Sequence, residues 1–222
     1  MDYKEAMEKR HSVRQYDPDR TLEGETLAAV RETVEEVNRE SGLNVQLIVG
    51  EPRAFQSFLA HYGRFSGVRN YLAMVGKKGK DTEETVGYYG EKLVLLAQRL
   101  GLNTCWVALS YKKIPGVIAA GEDEKIFCVI SLGSGANQGK PHRSRSAETV
   151  GGVTEGSPDW YREGVEAALL APTAVNQQKF RFSLEGDRVR AKAGSGTLTR
   201  MDLGIAKLHF ELGSGKDKDI WA

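Results

Sequence analysis

The stretch EETVGYYGEKLVLLAQRLGLNTCWVAL, Glu83–Leu109, decides the fold class. Val86, Leu93, Leu96, Ala97 and Leu100 recur at helical spacing and make an apolar stripe wide enough to face a core. The helix this predicts, Glu83 to Leu100, stops at Gly101, the residue type that closes helices in a left-handed cap. Asn103 to Leu109 then reads as a buried strand, and KIFCVISL, Lys125 to Leu132, as another.

The same alternation extends in both directions. Upstream, Asp2 can cap a short helix to Lys9 with Tyr3, Ala6 and Met7 on one face. After a loop over Asp17–Gly24, a helix over Glu25–Ser41 carries Leu27, Val30, Val34 and Val37 and ends at Gly42. NVQLIVG alternates Val45, Leu47 and Val49 as a strand. Ala54 to His61 reads as a helix and Asn70 to Gly76 as a strand. Downstream, 133–156 is rich in Gly, Ser, Lys and Arg and reads as a long connecting loop. Ser157-Pro158 starts a helix to Ala171, and KFRFSLE and RVRAKAG form a hairpin about Gly186-Asp187. A last helix holds Met201, Ile205, Leu208 and Phe210 and ends near Gly213. The charged tail GKDKDI is expected to fray. Helices alternating with strands imply an α+β fold, a central mixed sheet flanked by helices.

The 222 residues allow one large domain or two small ones. Lys plus Arg number 31 and Asp plus Glu 30, so no basic excess points to nucleic acid, and any anion site is a local cluster. No apolar run approaches the roughly 20 residues of a membrane span, and MDYKEAMEKRHSVR has no signal-type apolar stretch. Cys105 and Cys128 lie inside apolar runs, and four histidines are dispersed. This argues against a disulfide framework or a metal site and for buried free thiols in a cytoplasmic protein. His61 and His209 read as structural.

Three polar clusters could carry chemistry. Arg10-His11-Ser12-Val13-Arg14 offers two guanidiniums and a hydroxyl, suited to a phosphate or a polarised carbonyl because arginine donates in a fixed fork. Arg143-Ser144-Arg145 follows the strand ending at Leu132, where ligands of layered α/β folds gather. In the third, Ala171–Gln178, three amides between apolar segments must satisfy many donors and acceptors, and an isoalloxazine edge offers a matching row. Taken singly, the first two also suit a solvated basic surface, and the third a polar turn capping a helix.

Together these stretches resemble the nitroreductase family of FMN enzymes. Arg10, Ser12 and Arg14 match its opening Arg-x-Ser-x-Arg/Lys element, and APTAVNQQKF (Ala171 to Phe180) its Ala-Pro-Ser-x-x-Asn-x-Gln-Pro-Trp element. LVLLAQRLGLNTCW matches its central helix and strand, and RSRSAETV echoes its late basic run. The resemblance implies that Arg10, Ser12, Arg143 and Arg145 hold the FMN phosphate and ribityl region, with His11 beside them. Arg14 would face the pyrimidine end, where a cation stabilises reduced flavin. Pro172, Thr173, Ala174 and Asn176 would line the ring, and Val107, Ala108 and Leu109 would present backbone groups near N5. No catalytic side chain and no metal is assigned.

The order of elements departs from the family, because the Asn-bearing element stands near the C-terminus. Lys179 replaces Pro, Phe180 replaces Trp and Thr173 replaces Ser. Family members are homodimers with FMN between subunits. The tail from Ser157 looks like a second, truncated copy, with MDLGIAKLHFELG as counterpart of the helix at Glu83–Leu100. The chain thus resembles a fused, degenerate dimer: residues 1–150 form one FMN-binding half, and 151–222 a truncated half completing the same site. It would act as a pseudo-dimeric monomer or a homodimer.

The implied reaction is ping-pong: NAD(P)H visits transiently as donor, and a small planar acceptor such as a nitroaromatic, a quinone or free flavin follows. Tyr62, Phe65, Tyr88, Tyr89 and Tyr111 are candidates to shape the pocket, and equally ordinary packing residues. Dehalogenation or flavin fragmentation, a non-catalytic FMN carrier or sensor, and a generic anion site built on Arg10, Arg14, Arg143 and Arg145 are the rival readings.

Overall fold

The computed structural model describes residues 1–222, with every side chain except that of Leu59. In chain order the elements are α1 (Tyr3–Lys9), α2 (Gly24–Ser41), β1 (Gln46–Ile48), α3 (Phe58–Tyr62), β2 (Asn70–Lys77), α4 (Lys80–Arg99) and β3 (Asn103–Val107). They continue with β4 (Glu124–Gly133), α5 (Ala147–Gly151), α6 (Asp159–Ala168), β5 (Phe180–Glu185), β6 (Arg188–Ala193) and α7 (Thr199–Ser214). Short 3-10 turns lie at Arg53–Phe55, Ala174–Asn176 and Lys218–Ile220. The elements form two compact units. The hairpin unit comprises Met1–Lys9, Glu83–Lys92 and His142–Ala222, and the sheet unit Arg10–Thr82 and Leu93–Pro141.

In the sheet unit four strands pair in the order β1-β2-β4-β3, all antiparallel. A parallel component enters only as isolated bridges such as Ser12↔Thr104 and Gln15↔Ser66. β2 is central and buried on both faces, which is why NYLAMVG reads as an unbroken apolar run. Tyr71, Ala73 and Val75 join Val13, Phe55 and Phe65 in one core cluster. The Phe55 ring sits 5.2 Å from that of Phe65 and 5.8 Å from that of Tyr71. Cys105 and Cys128 are buried free thiols. α2 ends as its sequence predicts, with Gly42 at φ 69° and its N–H donating to the Asn38 carbonyl.

Three expectations in this unit are corrected. The helix expected over Ala54–His61 is broken into a 3-10 turn and α3, because the Ser57 Oγ accepts the Ala60 N–H at 3.3 Å and starts a new helix. β1 is only three residues long, and Val49 lies outside it, 40% exposed. β3 stops at Val107, two residues before the expected Leu109.

In the hairpin unit α6 packs on α7 through a glycine: a Cβ on Gly164 would come within 2.7 Å of the Phe210 ring. Tyr161, Phe182 and Trp221 complete an aromatic cluster about Phe210, with ring centroids 5.1 to 5.9 Å from it. The stretch of α4 in this unit meets α7 at two glycines. A Cβ on Gly87 would lie 2.0 Å from the Met201 carbonyl oxygen, and one on Gly204 2.0 Å from that of Glu84. Beside this crossing His209 is fully buried, with Nε2 2.9 Å from Glu91 Oε1 and Nδ1 3.2 Å from the Ala167 carbonyl. His61 is exposed.

The hairpin β5–β6 turns at Gly186-Asp187 as predicted, with Gly186 at φ 63°. The helix expected to reach Ala171 ends at Ala168, and the loop expected over 133–156 contains α5, capped by Ser146 accepting from the Thr149 N–H. The tail does not fray. Ile220 is buried, and Trp221 donates from Nε1 to Glu211 at 2.6 Å and bridges to Val189. The charges of GKDKDI hid two apolar anchors, its own Ile220 and the Trp221 that follows.

Candidate functional site

The candidate residues fall into two groups, each built within one unit. In the sheet unit Arg10–Tyr16 is an extended segment fastened by its backbone. The Val13 N–H donates to the Thr104 carbonyl at 2.9 Å, the Ser66 N–H to that of Arg14 and the Tyr16 N–H to that of Ser66, both at 3.0 Å. Side chains add to this: the buried Tyr16 hydroxyl donates to the Val13 carbonyl at 2.8 Å and lies 2.8 Å from Ser131 Oγ, and Gln15 Oε1 accepts from Asn137 Nδ2 at 3.0 Å. Val13 is buried on the core side, and period-two alternation carries Ser12 and Arg14 to the other.

Arg10 is 4% exposed, His11 and Ser12 are half-buried, and Arg14 is exposed with its Cζ 5.9 Å from the Phe65 ring centroid. Gly139, at φ +71°, approaches so closely that a Cβ there would stand 2.8 Å from His11 Cβ. Burial raises the Cys105 thiol above its ordinary range, while Arg14, a Ser12 hydrogen bond and Arg10 pull it down. Both guanidiniums therefore act electrostatically on the start of β3. At the other end of that strand Val107 is buried, Ala108 half-buried and Leu109 84% exposed.

In the hairpin unit the structure joins the second and third clusters into one network. Gln178 is 2% exposed; its Oε1 accepts the Arg145 N–H at 2.9 Å, and its Nε2 donates to the Arg143 carbonyl at 2.8 Å and to Asn176 Oδ1 at 2.7 Å. The Asn176 Nδ2 donates to the same Arg143 carbonyl at 2.9 Å. His142 Nε2 and Ser144 Oγ both lie 3.0 Å from the Leu169 carbonyl, which fastens the basic run just past the end of α6. The side chains of Arg143 and Arg145 are exposed, Pro172 is buried, and Thr173 and Ala174 are half-buried.

The loop has a demanding backbone. Val175, Asn176 and Gln178 adopt φ of 47°, 56° and 45°, in the left-handed region that side chains disfavour. Asp202, at the start of α7, holds it from below: Oδ1 accepts the Ala174 N–H at 2.9 Å and Oδ2 accepts Gln177 Nε2 at 2.7 Å. Burial raises the Asp202 carboxyl to about 6, against the pull of those two bonds.

Sequence reading missed Gln178 and Asp202 as organising residues. For Gln178 the signal was present, in the Asn-x-Gln spacing of NQQ. For Asp202 there was none beyond a polar residue among apolar helix positions. Of the aromatic candidates, Phe65 and Tyr111 belong to the sheet-unit core and Tyr62 is 83% exposed. Tyr88 and Tyr89 lie in the hairpin unit, stacked edge-on at 5.2 Å. Among the described residues no group of three His, Cys, Asp or Glu side chains could hold a metal ion, and no helix is long and apolar enough to cross a membrane.

A family model described as "Putative TM nitroreductase" matches residues 2–214. Among solved structures, a "putative nitroreductase" of Thermotoga maritima is similar at TM-score 0.66 and 23% identity, over 96% of this chain and 83% of that one. Another, from Desulfovibrio desulfuricans in complex with FMN, is similar at TM-score 0.55 and 18% identity, over 71% of this chain and 99% of its own. A variant of an FMN and NADPH-dependent nitroreductase from a Sphigopyxis strain reaches TM-score 0.52 at 14% identity, over 68% and 97% of the two chains. These identities show a shared fold. No curated protein sequence matches the chain.

Proposed function

The chain belongs to the nitroreductase family and is a nitroreductase-like oxidoreductase, and from that premise we propose that it binds one FMN per chain and reduces small planar acceptors with electrons from NAD(P)H. The observation that carries the reading is the network in which Gln178 ties the Arg143–Arg145 backbone to the Asn176 loop. It gathers guanidiniums and a polar loop edge, the two kinds of group a phosphate-bearing ring cofactor asks for.

The donor chemistry fits FMN. Arg10 and Ser12 in the sheet unit and Arg143 and Arg145 in the hairpin unit are the proposed phosphate and ribityl donors, with His11 beside them. Arg14 is proposed to face the pyrimidine end and stabilise negative charge there. Pro172, Thr173, Ala174 and Asn176 are the proposed ring-lining residues, and Val107, Ala108 and Leu109 the proposed backbone partners. The chemistry the cofactor supplies when bound is acceptance of a hydride from the nicotinamide and delivery of electrons to a nitroaromatic or quinone, in ping-pong order. The protein's part is to orient and to supply positive charge, and no side chain is assigned as acid or base.

The pseudo-dimeric organisation, with 1–150 and 151–222 as complete and truncated halves, belongs to the same proposal. The glycine crossing of α4 and α7 supports it. Gly87 meets Met201 and Gly204 meets Glu84, a reciprocal pattern of the kind a two-fold interface generates.

The test is the visible spectrum of the purified protein before and after anaerobic NADPH, with the flavin counted per chain and the mass measured by light scattering. Flavin bands that bleach, at one flavin per monomeric chain, are expected. Bands that persist would leave a flavin binder without this donor. No bands after soaking with FMN would overturn the reading, and one flavin bound only by a homodimer would overturn the pseudo-dimer.

A further inference from the structure

We propose that Asp202 is the positioning residue of the candidate site, a buried carboxylate that forces Thr173–Asn176 into the single shape able to line the cofactor. The inference rests on the FMN reading above and adds to it a residue outside every matched motif.

Asp202 is 3% exposed and grips both ends of the 3-10 turn Ala174–Asn176, through the Ala174 N–H and the Gln177 side-chain amide. Between these grips lie Val175 and Asn176, with Gln178 following, all left-handed. Such backbone persists only where its surroundings over-determine it. Packing does not supply that constraint, since Val175 is 97% exposed. The polar bonds do.

Only an ionised carboxylate can accept from both donors at once. An amide or a protonated acid in its place offers one acceptor and one donor, and the donor would face Gln177 Nε2. Gln177 would then have to turn its amide and release the Thr197 carbonyl, which Nε2 now reaches at 3.0 Å. Asparagine is therefore a mimic of the protonated state.

Three cations of the same unit have partners of their own: Lys207 bonds Glu84 of α4, Lys179 the Ser195 carbonyl, and Arg145 the Gln177 carbonyl. Burial raises the Asp202 carboxyl to about 6 against the Ala174 and Gln177 bonds. A carboxylate buried without a cation and held by two neutral donors is an expensive arrangement, and groups perturbed in this way gather at functional sites. The consequence is a loop that loosens as pH falls through about 6.

The experiment titrates FMN into apo wild type, Asp202→Asn and Gln177→Ala from pH 5 to 8, and follows amide hydrogen exchange at Ala174 without FMN. Asp202→Asn is expected to keep its fold while binding FMN about tenfold more weakly at pH 7.5, the scale of one lost bond to a charged acceptor. Ala174 should exchange faster in it. Gln177→Ala, which keeps the carboxylate and one of its grips, should lose part of the affinity. It serves as the deciding variant if Asp202→Asn does not fold. FMN phosphate takes up its second proton near pH 6, so the readout is the wild-type profile relative to the variant's, which should converge at low pH. Wild-type affinity and Ala174 protection in both variants would overturn the inference alone. A wild type that ignores FMN, but whose Ala174 protection depends on Asp202, would overturn the FMN reading and leave the loop device standing.

Discussion

The two donor-bearing segments are held by opposite means. Arg10–Tyr16 is fastened chiefly by main-chain bridges to its neighbours, with the Tyr16 hydroxyl and the Gln15 amide as reinforcement. Ala171–Gln178 is fastened by side chains, the amides of Asn176, Gln177 and Gln178 and the carboxylate of Asp202, over three left-handed residues. A segment held by its backbone tolerates side-chain change, because every residue carries the same N–H and C=O. A segment held by side chains depends on their identity, and on pH where one of them titrates. The sheet unit therefore offers a fixed rail of donors, and the hairpin unit a tunable one.

Four substitutions sharpen this contrast, from the largest effect downward. Gln178→Ala removes three hydrogen bonds of a buried amide and takes from the Arg145 N–H its acceptor, while the Arg143 carbonyl keeps only its bond from Asn176. It should cost about 3 kcal/mol in denaturant unfolding; a loss under about 1 kcal/mol would mean that the network does not hold the loop.

Asp202→Asn should go the other way at neutral pH. Between 3.8 and about 6 the folded protein binds the Asp202 proton and the unfolded chain does not. Stability therefore falls as pH rises through that window and stays lowered above it. A rise from 3.8 to about 6 is worth about 3 kcal/mol at about 1.4 kcal/mol per pH unit. The Ala174 and Gln177 bonds are already inside that figure, so for a mimic of the protonated state a gain of up to about 3 kcal/mol is expected above pH 6. Thermal melts of wild type and variant should differ most above pH 6 and least near pH 4. A variant less stable than wild type at every pH would show that the carboxylate stabilises the fold as a whole.

Val175→Gly relieves a β-branched residue at φ 47° that is 97% exposed, so it should stabilise the chain by about 1 kcal/mol. A destabilisation would place the strain elsewhere in the loop. Ser12→Ala, on the backbone-held rail, should shift unfolding by less than about 0.5 kcal/mol, and a larger loss would show that the rail too depends on side chains.

Much of this was legible in advance because it rests on local rules. Helix stripes, the glycine stop at Gly42, the Asp2 cap accepting the Glu5 N–H and the Gly186-Asp187 hairpin each depend on a few adjacent residues. The α+β class follows from their alternation. The candidate donors were legible as clusters, because arginine and amide groups are unusual at such density. Errors arose where one particular contact outweighed apolar spacing or overall composition. Ser57 broke a helix that its apolar spacing favoured, and Trp221 and Ile220 docked a tail whose composition promised disorder.

By itself the sequence determined which segments are helix or strand, which side chains bear charge, and the family to which the motifs belong. Tertiary structure alone decided that Arg143–Arg145 and Asn176 share one network through Gln178, some 33 residues away from Arg145. It also decided that Asp202, 28 residues beyond Ala174, governs the loop. The reason is physical. A buried hydrogen bond needs a partner but not a neighbour in sequence, and only the packing of α7 beneath the loop turns an ordinary aspartate into one held without a cation.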